Sequence, residues 1–143
     1  MFSNIISTAL AAMALMGFTS ASPITTGENA NTIDITARAA AVASKFTWYN
    51  TGLGACGQTH SDSEYVIALS AVNFDPHTPN GNPNNNDLCN RRIRASYNGR
   101  SVEVKVVDRC PGCPENGLDL SPGAFQQLAD LGVGVVQGSW EWI

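Results

Sequence analysis

Charge is scarce in this chain, and the little there is does not favour the positive sign. Only 14% of the residues are charged, with 8 Lys and Arg against 12 Asp and Glu and a formal net charge of -4. Proteins that bind nucleic acid usually concentrate basic side chains on one face, because they must neutralise phosphates. The composition therefore argues against nucleic acid as a partner.

Long apolar runs are also absent. No side chain between Ile5 and Phe18 is charged, but this run is shorter than the roughly 20 apolar residues of a membrane-spanning helix. Small residues follow up to Ala21, as at the cleavage site of a secretory signal, although the basic residues that usually precede such a run are missing. We predict that residues 1–21 are a signal peptide and that the mature protein is secreted and extracellular, without membrane contact after cleavage.

Residues 22–44 lack apolar periodicity and are rich in small polar side chains. Such a segment buries too little apolar surface to fold alone, so a flexible leader or propeptide is predicted. Residues 45–143 can then form only one domain with a modest core. The chain's 13 Gly and 7 Pro, together with its many Asn, favour short strands joined by tight turns over a helical bundle.

The segment from Ser101 to Ser121 contains most of the residues able to do chemistry. Valine occupies every second position from Val102 to Val106, which is typical of a strand with one buried face. Asp108 has the same parity, so it is expected on the core face or at its mouth. A carboxylate there is costly unless it has a partner or a function, and an ion pair with Arg91 is the purely structural explanation.

The Asn98-Gly99 pair is the preferred two-residue turn of a β-hairpin, and the residues on both sides of it alternate between apolar and polar. The turn predicts four cross-strand pairs: Tyr97 with Arg100, Ala95 with Val102, Arg94 with Glu103 and Ile93 with Val104. If the ladder ran further, Cys89 would lie opposite Asp108.

Other segments have simpler signals. Glu64 to Ser70 is almost continuously apolar, as in a strand buried on both faces. Ser121 and Pro122 can begin a helix that Gly132 would end. Val135 to Ile143 is predicted to be a last strand that places two tryptophans on one face, at least one of them in the core.

The Pro- and Asn-rich segment from Phe74 to Asp87 has no apolar pattern, so it is predicted to be a surface loop. Both a functional role and a solvated insertion remain open for it.

Five short motifs together resemble the secreted double-psi β-barrel proteins, which include barwin-like and expansin-like proteins and the domain of rare lipoprotein A; small single-domain fungal members are the most similar. The motifs are T-W-Y at 47–49, G-A-C-G at 54–57, V-I-A-L-S at 66–70, V-V-D-R-C-P-G-C at 106–113 and L-D-L-S-P at 118–122. The resemblance covers residues 45–143. It implies an all-β fold, a six-stranded double-psi β-barrel with one or two short helices.

The resemblance also implies a groove that binds polysaccharide, with Asp108 as the candidate catalytic acid. Glycoside hydrolysis normally needs two carboxylates across the scissile bond. The related hydrolases place the second one where this chain has Asn50, whose amide cannot accept a proton, and a histidine of the related lytic enzymes is replaced by Asn73. The sequence therefore disfavours an enzyme.

The candidate substrate-binding residues are Thr47, Trp48, Tyr49, Asp62 and Asp119. Trp48 and Tyr49 could stack against a sugar or fill a small core, and both roles remain open. Asp119 and Asp62 could supply a second acid. Against that role, Asp119 is expected to face outwards or to cap the following helix, and Asp62 to lie in a turn.

The four cysteines of a secreted chain predict two disulfides rather than a metal site. We pair Cys56 with Cys89 and Cys110 with Cys113. Prolines and a glycine make the Cys110–Cys113 segment a rigid turn, which argues against a thioredoxin-like redox pair. No metal and no cofactor are expected.

The missing second acid favours an expansin-like protein that binds or loosens cell-wall polysaccharide, such as cellulose, chitin or peptidoglycan, without hydrolysis. An alternative is a secreted protease inhibitor or a host-directed effector, which would bind a protein target through loops such as 74–87. A glycosidase or lytic transglycosylase is the third hypothesis. We expect a monomer.

Overall fold

Six strands close into one barrel in the computed structural model, which describes residues 40–143. The strands are β1 (Val42–Trp48), β2 (Val66–Ser70), β3 (Arg92–Tyr97), β4 (Arg100–Cys110), β5 (Leu118–Leu120) and β6 (Val136–Trp142). Their order is β1-β5-β2-β4-β3-β6, and β6 pairs with β1 to close the barrel. The β1–β5 and β2–β4 pairs are parallel and the other four are antiparallel.

Two short α-helices, α1 (Ala71–Phe74) and α2 (Pro122–Gln126), accompany these strands. The predicted six-stranded barrel with one or two short helices is confirmed. No helix between residues 40 and 143 has the length and hydropathy needed to cross a membrane.

The barrel begins earlier than the sequence predicts. The predicted signal peptide and most of the predicted leader lie outside the described residues, but Val42 to Ser44 belong to β1 and not to a leader. Val42 pairs with Trp140 and Ser44 with Gly138. This segment is a strand because β6 offers a backbone partner at each position, which its small side chains do not reveal.

The core is built from alternate residues of the strands. The largest fully buried side chains include Phe46, Ile67, Leu69, Ile93, Val104, Val106, Leu118 and Leu120. Each such side chain contributes about 1.5 to 3 kcal/mol on burial. Trp140 is also buried, as predicted for one C-terminal tryptophan.

The β3–β4 hairpin has the predicted register. All four expected pairs are present, and both turn residues have positive φ, 49° at Asn98 and 76° at Gly99. The ladder ends where Arg92 pairs with Lys105, so Cys89 does not face Asp108. The ion pair between Arg91 and Asp108 does not form either, because the Arg91 guanidinium lies over the Trp142 ring at 4.4 Å.

The alternation of β4 is interrupted next to Asp108. Ile67 pairs with Val106, whereas the next residue, Ala68, pairs with Asp108. Val107 is therefore an extra residue, and such a bulge reverses the side-chain alternation beyond it. The prediction that Asp108 shares a face with the core valines is wrong for this reason.

The segment from Ser121 into α2 begins as predicted and ends sooner. The Ser121 hydroxyl accepts a hydrogen bond from the Ala124 N–H at 3.3 Å, with Pro122 in the first turn. The helix stops at Gln126 rather than continuing to Gly132.

The Pro- and Asn-rich segment is a surface loop, as predicted. It contains three 3-10 turns, Asp75–His77, Pro79–Gly81 and Pro83–Asn85. Buried Phe74 and Asn86 hold its ends, and the Asn86 amide donates to the Phe74 carbonyl at 2.7 Å.

Both predicted disulfides are present. Cys56 is bonded to Cys89 and Cys110 to Cys113, across sequence separations of 33 and 3.

Candidate functional site

Four strands place three of the six candidate site residues in one row across the sheet. Thr47 pairs with Asp119, Asp119 with Ala68, and Ala68 with Asp108. Paired residues point to the same face of a sheet, and neighbouring strands lie about 4.8 Å apart. The α-carbons of the two aspartates are therefore about 10 Å apart, with Ala68 between them.

Asp108 anchors the loop that follows β1. Its Oδ1 atom accepts hydrogen bonds from the Ala55 N–H at 2.8 Å and from the Arg109 N–H at 2.7 Å. Gly54 lies so close to this strand that a Cβ atom there would stand 2.3 Å from the Val107 carbonyl oxygen. The carboxylate thus holds the backbone of one loop against β4.

Tyr49 lies among the candidate acids. Burial raises the pKa of its phenol well above the usual value, and the charges of Asp108, Asp119 and Asp62 act in the same direction. The phenol therefore stays protonated and can only serve as a hydrogen-bonding group at physiological pH.

Trp48 contacts the core and is half-buried. Its indole Nε1 donates to the Leu131 carbonyl at 3.0 Å. Together with the burial of Tyr49, this contact means that the two aromatic residues are largely occupied within the protein. They do not form a flat, fully exposed surface for a sugar.

Asp119 is half-buried in β5, between two core leucines. Burial raises the pKa of its carboxyl group; the hydrogen bond from the Thr47 hydroxyl, at 2.7 Å, opposes this rise, and the charge of Asp108 adds to it. Asp119 does not cap a helix, because Ser121 occupies that position in α2. Its buried environment therefore favours the protonated form.

Asp62 closes the loop after β1. Its carboxylate accepts hydrogen bonds from the Asn50 amide at 2.8 Å, the Thr51 N–H at 2.6 Å and the Thr51 hydroxyl at 2.9 Å. These bonds, led by the one from Asn50, lower the pKa of Asp62. Asp62 therefore lies at the closure of a loop, where a turn was predicted. Asn50, which stands where the related hydrolases have an acid, takes part in this closure.

A shallow pocket of about 240 Å³ opens beside Asp119. It is lined by Lys45, Thr47, Asp119, Gly112, Pro114 and the Cys110–Cys113 disulfide. Two of the candidate residues, Thr47 and Asp119, line this pocket. The other four candidates, Trp48, Tyr49, Asp62 and Asp108, do not line it. This pocket therefore does not bring Asp108 and Asp119 together in one cleft.

The sequence did not single out the loop between Asn50 and Asp62 as a functional element. It contains Leu53, whose side chain is 74% exposed, and Gly57, whose φ is +84°. Gly57 has a backbone conformation that favours glycine, and Gly54 lies so close to the Val107 carbonyl that a side chain there would collide with it. The exposure of Leu53 follows from the anchoring of the loop, which no local pattern reveals.

The fold and this arrangement can be compared with known proteins. A family model described as lytic transglycolase, of the double-psi β-barrel type, matches residues 41–140. The chain belongs to this double-psi β-barrel family. The resemblance inferred from five motifs is thereby confirmed.

Several members of the family are similar in sequence. The papain inhibitor of Streptomyces mobaraensis is 42% identical over 103 residues, which are 69% of this chain and 69% of the relative. A homologue of the allergen Asp f 7 from Arthroderma benhamiae is 32% identical over 96 residues. Those residues are 66% of this chain but 32% of the allergen homologue, so the chain spans about a third of that protein.

Solved structures show the same architecture. A Streptomyces papain inhibitor superimposes with a TM-score of 0.67 at 39% identity, over 74% of this chain and 96% of that one. An expansin of Clavibacter michiganensis in complex with cellohexaose superimposes with a TM-score of 0.59 at 22% identity, over 73% and 50% of the two chains. The second likeness shows a shared fold alone.

Proposed function

We propose that this protein is a secreted inhibitor of papain-like cysteine proteases. The observation that carries the proposal is the 42% identity to the papain inhibitor of Streptomyces mobaraensis over 103 residues, supported by a superposition that covers 96% of a solved inhibitor. The similarity extends over almost the whole barrel and is not confined to one motif.

The arrangement of the acids supports an inhibitor over a glycosidase. A glycosidase needs two carboxyl groups facing the scissile bond from opposite sides. Here Asp119 lines the pocket, while Asp108 does not line it and holds a loop through the Ala55 N–H group. Asp62 likewise closes a loop. Rigid anchoring of loops is what an inhibitor requires, because it lowers the entropy lost on binding.

Inhibition of papain tests the proposal directly. The mature protein, titrated against papain with a fluorogenic peptide substrate, should reduce the rate of hydrolysis in a saturable manner and remain uncleaved. Chymotrypsin, a serine protease, is the matched control and should keep its full activity. Absence of inhibition across several papain-like proteases would contradict the proposal, as would simple degradation of the protein as a competing substrate.

Polysaccharide binding without hydrolysis, the function favoured from the sequence, is the second candidate. The pocket beside Asp119 favours it, because Lys45, Thr47 and Asp119 add polar groups to a wall that is otherwise formed by Gly112, Pro114 and the Cys110–Cys113 disulfide. Retention on insoluble cellulose, chitin or peptidoglycan that is lost with Thr47→Val and Asp119→Ala would support it. Equal retention of wild type and variants, or none, would speak against this site.

A further inference from the structure

Leu53 is the most exposed of the large apolar side chains between residues 40 and 143, with 74% of its surface accessible. It lies in residues 51–59, which we call the Leu53 loop. One exposed leucine is ordinary on a protein surface. The way in which this leucine is presented is not ordinary, because the backbone around it is fixed at several points.

Internal hydrogen bonds fix the shape of the Leu53 loop. Leu53 and Thr59 form an antiparallel bridge, and the Gly54 N–H donates to the Gln58 carbonyl at 2.9 Å. At the base of the loop, the Asp62 carboxylate accepts from the Thr51 N–H and hydroxyl. The loop is therefore a closed turn rather than a flexible connection.

The barrel holds the same loop from below. The Ala55 N–H donates to Asp108 at 2.8 Å, and the Cys56 N–H donates to the Val107 carbonyl at 3.1 Å. The disulfide from Cys56 to Cys89 adds a covalent connection to the segment before β3. A partner that binds this loop would have little backbone entropy to remove, which favours affinity.

Leu53 has no charged neighbours in its own loop and no bulky ones directly beside it in sequence. No residue from 51 to 59 carries a charge, and Leu53 lies between two glycines. Gly54 is required by the fold, because a side chain there would collide with the Val107 carbonyl. Gly52 is not: a Cβ atom there would meet nothing within 4 Å, and its φ is not positive. The fold therefore gives no reason for the missing side chain at position 52, whereas a narrow binding cleft would.

We propose that the Leu53 loop is the element that enters the active-site cleft of a papain-like cysteine protease, with Leu53 in an apolar subsite. This assignment rests on the proposed inhibitory function. Every strand of the barrel is paired on both sides, so a protease cannot bind by adding a strand to a free edge. Loops are then the remaining elements for contact. Loop 74–87 exposes mainly Asn and Pro side chains, and loop 127–135 exposes Val133 and Val135, which are 55% and 46% accessible and so less exposed than Leu53.

The test compares papain inhibition by the wild type with that by Leu53→Ala and Gly52→Ala. Truncation of a central apolar anchor should weaken the inhibition constant by at least about tenfold. Gly52→Ala should weaken it in the same direction, because the added methyl group obstructs a close-fitting cleft. Both variants should keep the wild-type melting temperature, since neither side chain packs inside the protein.

Two matched controls separate this loop from other surfaces. Val72→Ala truncates another exposed apolar side chain, which is 58% accessible, and Asn85→Ala changes loop 74–87. Both should inhibit papain like the wild type. If Leu53→Ala and Gly52→Ala also inhibited like the wild type, or if Asn85→Ala alone lost inhibition, the assignment of the loop would be overturned while the proposed function stood. A wild type without inhibitory activity would overturn both.

Discussion

Single carboxylates in this protein hold backbone in place. Asp108 accepts two backbone N–H groups, and Asp62 accepts one N–H together with two side-chain donors. A buried or half-buried donor that loses its acceptor costs far more than an average hydrogen bond contributes. The stability of the loop after β1 therefore depends on these two residues.

Replacement of Asp108 should reveal this role. Asp108→Ala leaves the Ala55 and Arg109 N–H groups without their acceptor, and we expect the free energy of unfolding to fall by about 1 to 3 kcal/mol. Asp108→Asn keeps one oxygen in place, so its loss should be smaller. Urea denaturation measures both, and an Asp108→Ala protein as stable as the wild type would show that the carboxylate does not hold the loop.

Asp119 should make stability fall as the pH rises. Burial raises the pKa of Asp119 in the folded state, so the folded protein binds this proton more tightly than the unfolded chain does. Its contribution is then present at low pH and is lost as the pH rises from about 3.9, the usual value of Asp, through the raised pKa. Relative to Asp119→Asn, which can still accept from Thr47, the wild type should lose stability across this window. A pH-independent difference would refute this.

Asp62 should show the opposite dependence. Hydrogen bonds from Asn50 and Thr51 lower the pKa of Asp62 in the folded state. Its contribution is therefore present above about 3.9 and is lost as the pH falls through the lowered value. The stability of the wild type relative to Asp62→Ala should decrease on acidification, as followed by denaturation at stepwise lower pH. An increase on acidification would mean that the loop is closed by other groups.

At the level of elements, the two disulfides differ in the length of chain that they close. The Cys56–Cys89 bond has a sequence separation of 33, and the Cys110–Cys113 bond one of 3. On the chain-entropy model the first contributes about 3 to 4 kcal/mol and the second about 2. Replacement of each pair by serine, followed by equilibrium unfolding, should give losses in that order. Equal losses would mean that local strain, and not loop closure, dominates.

The elements also show what a sequence pattern can and cannot predict. The Asn98-Gly99 turn predicted the register of the β3–β4 hairpin and four of its six pairs, because turn and register are local and coupled. The position of Asp108 was not predictable by parity, since the bulge at Val107 depends on how β2 pairs with β4 from a distant part of the chain. The sequence also did not predict that Val42 belongs to a strand, because its pairing partner, Trp140, is distant in the chain.

At the level of the whole molecule, the family was predictable and the site was only partly so. Five motifs spread over residues 47–122 predicted the barrel, which the family match over 41–140 confirms. The sequence motifs indicated Thr47, Asp108 and Asp119 as candidate site residues, and the structure places them in one row. It did not indicate Leu53, because the exposure of a loop residue depends on anchors that are distant in sequence.

The seam between β1 and β6 has a consequence for how fast the barrel can form. It joins Val42 to Trp140, whereas the β3–β4 hairpin joins residues that follow one another in the chain. Distant contacts form slowly, because the entropy of loop closure opposes them until the strands have met. In pulsed hydrogen exchange during refolding, we expect the amides of the β3–β4 hairpin to become protected before those of β6. Simultaneous protection would contradict this order. Pairing of β6 would then be the rate-limiting step of folding. Before β6 pairs, the other five strands form an open sheet in which β1 and β3 are unpaired edges.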